Sequence, residues 1–211
     1  MTTAATPISR SLFVLSILYG GMTCIGGILG NKQVALGPLA VEAGIFAFLL
    51  LVVLSSAVAE LHDRETANRL VLFGFVPLLV SMLLIIIVLT LPASHEMDPA
   101  RLAGFQLVLA QSPRLMGAGI VAYGISQFLN VGLFSLMRRE GGLLWLRGAL
   151  ASVLSQIVDT LIFITLAFYG VFPILDLMIG QMLTKVVLSV VLVPPLIHGF
   201  VALGRKLDSK S

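Results

Sequence analysis

The chain has 211 residues, of which 58% are hydrophobic and 11% charged, with a mean hydropathy of +1.08. So few charges cannot keep so much apolar surface in water, which excludes a soluble globular domain and makes the bilayer the solvent. The net charge of +3 and the pI near 9.4 give no sign of a nucleic-acid partner, because the basic residues stand singly at the ends of apolar runs, where they act as topology signals.

Backbone amides in hydrocarbon have no water to bond, so a spanning chain must form helices or a closed barrel. Long apolar runs without dyad alternation predict an all-α polytopic membrane protein. With roughly 20 apolar residues needed per span, six are expected, at about 11–29, 41–60, 69–92, 115–137, 145–170 and 173–202, in one domain. The last two are long enough to need tilt or kinks.

The first span follows Arg10 as a secretory signal would, yet it runs through Gly20, Gly21, Gly26, Gly27 and Gly30 without a clear small-x-small cleavage site, so it reads as retained. Gly26 and Gly30 form a small-xxx-small pair that allows close helix packing or a homo-oligomer contact. Cys24, the single cysteine, has no partner for a disulfide or a thiolate metal site.

Six spans put both termini on one side, together with Arg64, Arg69, Arg138, Arg139, Arg147, Arg205, Lys206 and Lys210. Only Lys32, Arg101 and Arg114 fall opposite. The positive-inside rule then places both termini in the cytoplasm, across a bacterial inner membrane. Between spans three and four, Asp98 and Pro99 make an N-cap and first helical position, with Leu102, Phe105 and Leu109 at helical spacing. A short helix along the outer surface is expected there.

No cofactor is expected. His62, His95 and His198 have no companions at ligand spacing, and His95-Glu96-Met97-Asp98-Pro99 begins like a zinc-protease motif but lacks its second histidine and carries a proline. No Walker lysine motif follows any glycine cluster.

The informative residues are polar ones inside the spans, since a central charge costs about 2.5–3.5 kcal/mol on insertion scales and so belongs in the bundle interior. On span five, Ser152, Ser155, Gln156, Asp159 and Phe163 recur every three or four residues and share one face. On span four Tyr123, Gln127, Asn130 and Phe134 do the same, and on span six Gln181 and Lys185 lie one turn apart. Gathered at one cavity, these stripes would satisfy one another and give Asp159 a cation in Lys185. The serines alone read as interhelical glue. For the charged pair, a solute site competes with a structural ion pair, which seldom improves on packed hydrophobes.

The string Ser152-Val153-Leu154-Ser155-Gln156-Ile157-Val158-Asp159-Thr160-Leu161-Ile162-Phe163 resembles the S-x-x-S-Q-x-x-D-T-x-x-F signature of the queuosine precursor transporter family, also called the VUT family. The resemblance runs along essentially the whole chain. Gly27-Ile28-Leu29-Gly30-Asn31-Lys32 is similar to the family's N-I-L-x-x-K, Ala43-Gly44 opens the second span as in the family, and Glu60 aligns with a D-x-x-x-E pattern. Gln127 and Asn130 match its polar fourth helix, and Gln181 to Lys185 match its N-x-x-x-K. Gly27, Ser56 and Asp63 depart from the usual Asn, Asp and Gly.

The resemblance implies import of 7-cyano-7-deazaguanine and 7-aminomethyl-7-deazaguanine, so that the partners are a purine-like small molecule and membrane lipid. The residue chemistry suits such a base. Its ring N–H and exocyclic amine would donate to Asp159 or Glu60, its carbonyl would accept from Gln156, Gln127, Asn130 or Lys185, and its plane would stack on Phe163, Phe134 or Tyr123. Glu60, Lys32 and Asn31 are expected to contribute from the ends of spans two and one, with access alternating between sides. Three other readings stay open: a substrate-capturing membrane subunit of an energy-coupling factor importer, a membrane-embedded enzyme using Asp159 and Lys185 as acid and base, and a purely structural protein.

Overall fold

The computed structural model describes residues 8–36, 39–110, 113–139, 143–171 and 173–209. In chain order these form α1 (Arg10–Leu29), β1 (Gln33–Leu36), β2 (Leu39–Glu42), α2 (Gly44–Leu61), α3 (Arg64–Thr90), α4 (Pro99–Leu109), α5 (Pro113–Arg139), α6 (Leu144–Phe168) and α7 (Leu175–Asp208). Every helix but α4 is long and apolar enough to cross a membrane. Lys210 lies outside the described residues, as does the side chain of Arg139.

Local chemistry sets the start of three helices. The Ser9 hydroxyl accepts from the Leu12 amide, the Asp63 carboxylate from the Thr66 amide and the Asp98 carboxylate from the Ala100 amide, so α1, α3 and α4 each start on a side-chain cap. Pro99 stands in the first turn of α4, where its missing N–H costs nothing.

The second helix begins at Gly44, three residues later than hydropathy predicts. Residues 39–42 instead pair with 33–36 in an antiparallel ladder whose ends are Gln33 opposite Glu42 and Leu36 opposite Leu39. Gly44 then meets α1 closely: a Cβ there would lie 2.8 Å from the Gly26 carbonyl oxygen. Only glycine lets the two backbones approach so far.

The helix α2 is the axle of the bundle. It packs on α1, α3, α5 and α7, and 72% of its most apolar window is buried, against 11% for α3. The flank of α3 bearing Leu72, Phe73, Val76, Leu79, Val80 and Leu83 is exposed, as suits a face solvated by lipid tails. At one end of the bundle the start of α1 and the end of α7 are fastened together. The Ser11 amide and hydroxyl donate to Asp208 at 2.9 and 2.6 Å, and the same hydroxyl lies 3.0 Å from Nε2 of His62. The carboxylate bonds the serine rather than the imidazole, so this trio is a fastening and not a nucleophile relay.

A charged cavity between the helices

The polar stripe of α6 faces inward. Ser152, Ser155, Gln156 and Asp159 are all buried, and the stripes of α5 and α7 meet it there. The Lys185 ammonium donates to Asp159 Oδ2 at 2.8 Å, and the Ser126 hydroxyl donates to Oδ1 at 3.1 Å. Both carboxylate oxygens are therefore engaged, which is what an ion pair held away from water requires.

Beside this pair lies a cavity of about 200 Å³. That is below the roughly 300 Å³ at which pockets for drug-sized ligands begin, so its guest is small. Of the residues singled out in the sequence, Asn31, Tyr123, Asp159, Phe163, Gln181 and Lys185 reach its wall. Cys24 and Phe48 lie there too. Most of the lining is apolar, with the polar groups few and convergent.

Two of these residues also hold the wall in place. The Asn31 amide donates to Gly27 and Ile28 carbonyls, closing α1, and to the Val108 carbonyl at 2.9 Å, tying α1 to α4. The Tyr123 hydroxyl lies 2.9 Å from that of Tyr19, and its ring packs edge-on against Phe75 with centroids 4.9 Å apart.

Gln127, Asn130 and Gln156 sit deeper. Asn130 donates to the Ser55 and Ser56 hydroxyls at 3.2 and 3.1 Å, and Ser55 donates to Gln127 at 3.4 Å. Among the described residues, Asn130 Oδ1, Gln156 Oε1 and the hydroxyls of Ser152 and Ser189 are buried without a hydrogen-bond partner. Such groups are uncommon in a protein interior and mark a place where polarity serves more than packing.

Glu60 and Lys32 lie away from the cavity. Lys32 is exposed in the turn after α1, where its backbone oxygen accepts from Ala43 at 2.8 Å. Glu60 stands near the other end of α2, where Arg147 donates to it at 2.9 Å and Arg138 approaches to 3.9 Å. The Arg147 guanidinium also stacks 4.3 Å above the Phe134 ring. Phe134 is thus committed to this second cluster, about 18 Å along α6 from Asp159 at 1.5 Å per residue.

Glu42 was not singled out by the sequence reading, yet it lines the cavity together with Gln181 and Lys185. Burial pushes its carboxyl above the usual carboxylate range; Lys185 and Gln181 pull it back, and Asp159 adds to the upward push. The signal that would have found it is the one that found Asp159: an ionisable residue inside a run counted as a span.

Six apolar helices around a small charged cavity define a multi-pass membrane protein with a solute-sized site inside it. The family model described as "Putative vitamin uptake transporter" matches residues 42–199, and the chain belongs to that family. A protein of Bacillus subtilis (strain 168) described as "Probable queuosine precursor transporter" is 27% identical over 187 residues, covering 85% of this chain and 80% of that one. No solved structure matches.

Proposed function

We propose that the chain imports the queuosine precursor bases 7-cyano-7-deazaguanine and 7-aminomethyl-7-deazaguanine through the Asp159–Lys185 cavity, by alternating access. The observation that carries this reading is the ion pair itself. Two charges are held 2.8 Å apart inside an apolar bundle and on the wall of a cavity, where a purely structural pair would have no need of a cavity beside it.

The edges of such a base suit the groups present. The guanine-like amine and ring N–H are donors for a carboxylate, and the base carbonyl is an acceptor for Lys185 or Gln181. Phe163 and Tyr123 offer faces for the ring plane. With the basic ends of the helices in the cytoplasm, the cavity lies in the outer half of the membrane. The row Gln156, Ser155 and Ser152 then leads inward along α6 to Arg147, whose pairing with Glu60 closes the inner end. Exchange between that closure and one at the outer end would carry the base past the buried unpaired acceptors.

Uptake of labelled base by the purified chain alone in liposomes tests the reading. We expect saturable uptake without a partner ATPase, reduced at least about tenfold in Asp159→Asn, a loss of one charge-assisted hydrogen bond. A normally inserted Asp159→Asn chain that transports at the parental rate would move the site elsewhere.

A further inference from the structure

The charges on the cavity wall do not balance. Among the described residues three ionisable charges reach it: Glu42, Asp159 and Lys185. Lys185 is engaged with Asp159, while among the described residues Glu42 forms no salt bridge and stands near the neutral amide of Gln181. The sum is one negative charge facing a largely apolar enclosure.

Among the described residues no Lys, Arg or His other than Lys185 reaches the cavity wall. Arg114, at the start of α5, directs its guanidinium to the Leu166 and Tyr169 carbonyls, both at 2.7 Å. Lys32 is exposed outside the cavity wall. Four helix ends border the cavity: the last turns of α1, through Gly26 and Gly27, and of α4, through Val108 and Leu109, and the first turns of α2, through Gly44 and Ile45, and of α5, through Leu115 and Met116. Two are negative C-terminal ends and two are positive N-terminal ends, so their partial charges largely cancel. A carboxylate left in this position attracts either a proton or a guest cation, and it is burial, ahead of any neighbouring charge, that pushes the Glu42 carboxyl upward.

We infer that Glu42 reads the charge of the solute and that the cavity prefers a cationic base. Resting on the purine-base reading above, this ranks 7-aminomethyl-7-deazaguanine, an alkylammonium at neutral pH, ahead of its 7-cyano relative. With the guanine-like edge on the Asp159–Lys185 side, the aminomethyl group meets Glu42 as a charge-assisted pair that restores neutrality. The nitrile nitrogen of the cyano base is only an acceptor, so it faces the same carboxylate without a proton to share.

The test is equilibrium binding of both bases at pH 7 to the purified full chain, in the parental form and as Glu42→Gln. The expected result is about a tenfold preference for the aminomethyl base in the parental chain. In Glu42→Gln the two bases converge while affinity for the cyano base is retained or improved, which also shows that the variant is folded. Equal parental affinities, or a preference that survives Glu42→Gln, overturns the inference and leaves the purine-base reading standing. Loss of both bases together in Glu42→Gln overturns it too, since Glu42 would then be holding the wall rather than reading charge. If neither base binds the parental chain, the purine-base reading fails and the inference fails with it.

Discussion

Lys185 and Asp159 are each worth more to the other than to the fold. A buried pair gains little over apolar side chains of the same volume, but removing one partner strands the other's charge, at a cost of about 3–5 kcal/mol. Lys185→Met is therefore expected to lower stability by about 3 kcal/mol, and adding Asp159→Asn to restore most of it while uptake stays abolished. Denaturant unfolding of the purified single and double variants measures this; a double variant no more stable than Lys185→Met would mean that the pair's value is in packing. These two residues were legible in the sequence because their charge contradicts their surroundings. Glu42 escaped because it lies at the edge of an apolar run, where a carboxylate looks like the polar border of a span. Glu60 was assigned by its place in a motif, and a motif says nothing about which end of a 27 Å helix, at 1.5 Å per residue, a cavity occupies.

Helices were readable because each needs a long apolar run, and the α4 start because Asp98 and Pro99 are strong local signals. The hairpin was not. Its strands are four residues each and merge in hydropathy with α2, so a window of span length averages them into the helix. Close helix contacts were equally hidden, because a glycine that permits contact and one that merely fills a turn look alike in sequence. Gly74 of α3 is of the first kind: a Cβ there would fall onto Tyr123 Oη and, at 2.6 Å, onto the Tyr19 ring. Gly117 of α5 has nothing within 4 Å. We expect Gly74→Ala to destabilise by about 1–3 kcal/mol through overpacking and Gly117→Ala to be neutral or to stabilise by up to about 1 kcal/mol through helix propensity. Thermal unfolding of the two variants in the same detergent separates these effects.

Across the whole molecule, the two ends of the bundle are built differently. One is fastened by Ser11, His62 and Asp208 and by Glu60 with its two arginines. The other holds the hairpin, the cavity mouth and Asn31, which ties α1 to α4 through the Val108 carbonyl. Composition announced six spans and a polar interior, but which end is fastened depends on pairings between residues as far apart as 11 and 208, and no local pattern carries that.

The position of Cys24 on the cavity wall, with the Ser81 hydroxyl donating to its sulfur at 3.0 Å, makes the unmodified chain a reporter of the alternating access proposed above. A membrane-impermeant maleimide should react with this single thiol while the cavity faces the reagent. A bound base at ten times its Kd should slow the reaction about tenfold by occupancy alone. Arg147→Gln, which loosens the opposite end, should slow it with no ligand present, by shifting molecules to the other orientation. A labelling rate indifferent to both would mean that Cys24 stays covered throughout. If the rate responds, a stopwatch on one sulfur atom times the turning of the carrier without any engineered label.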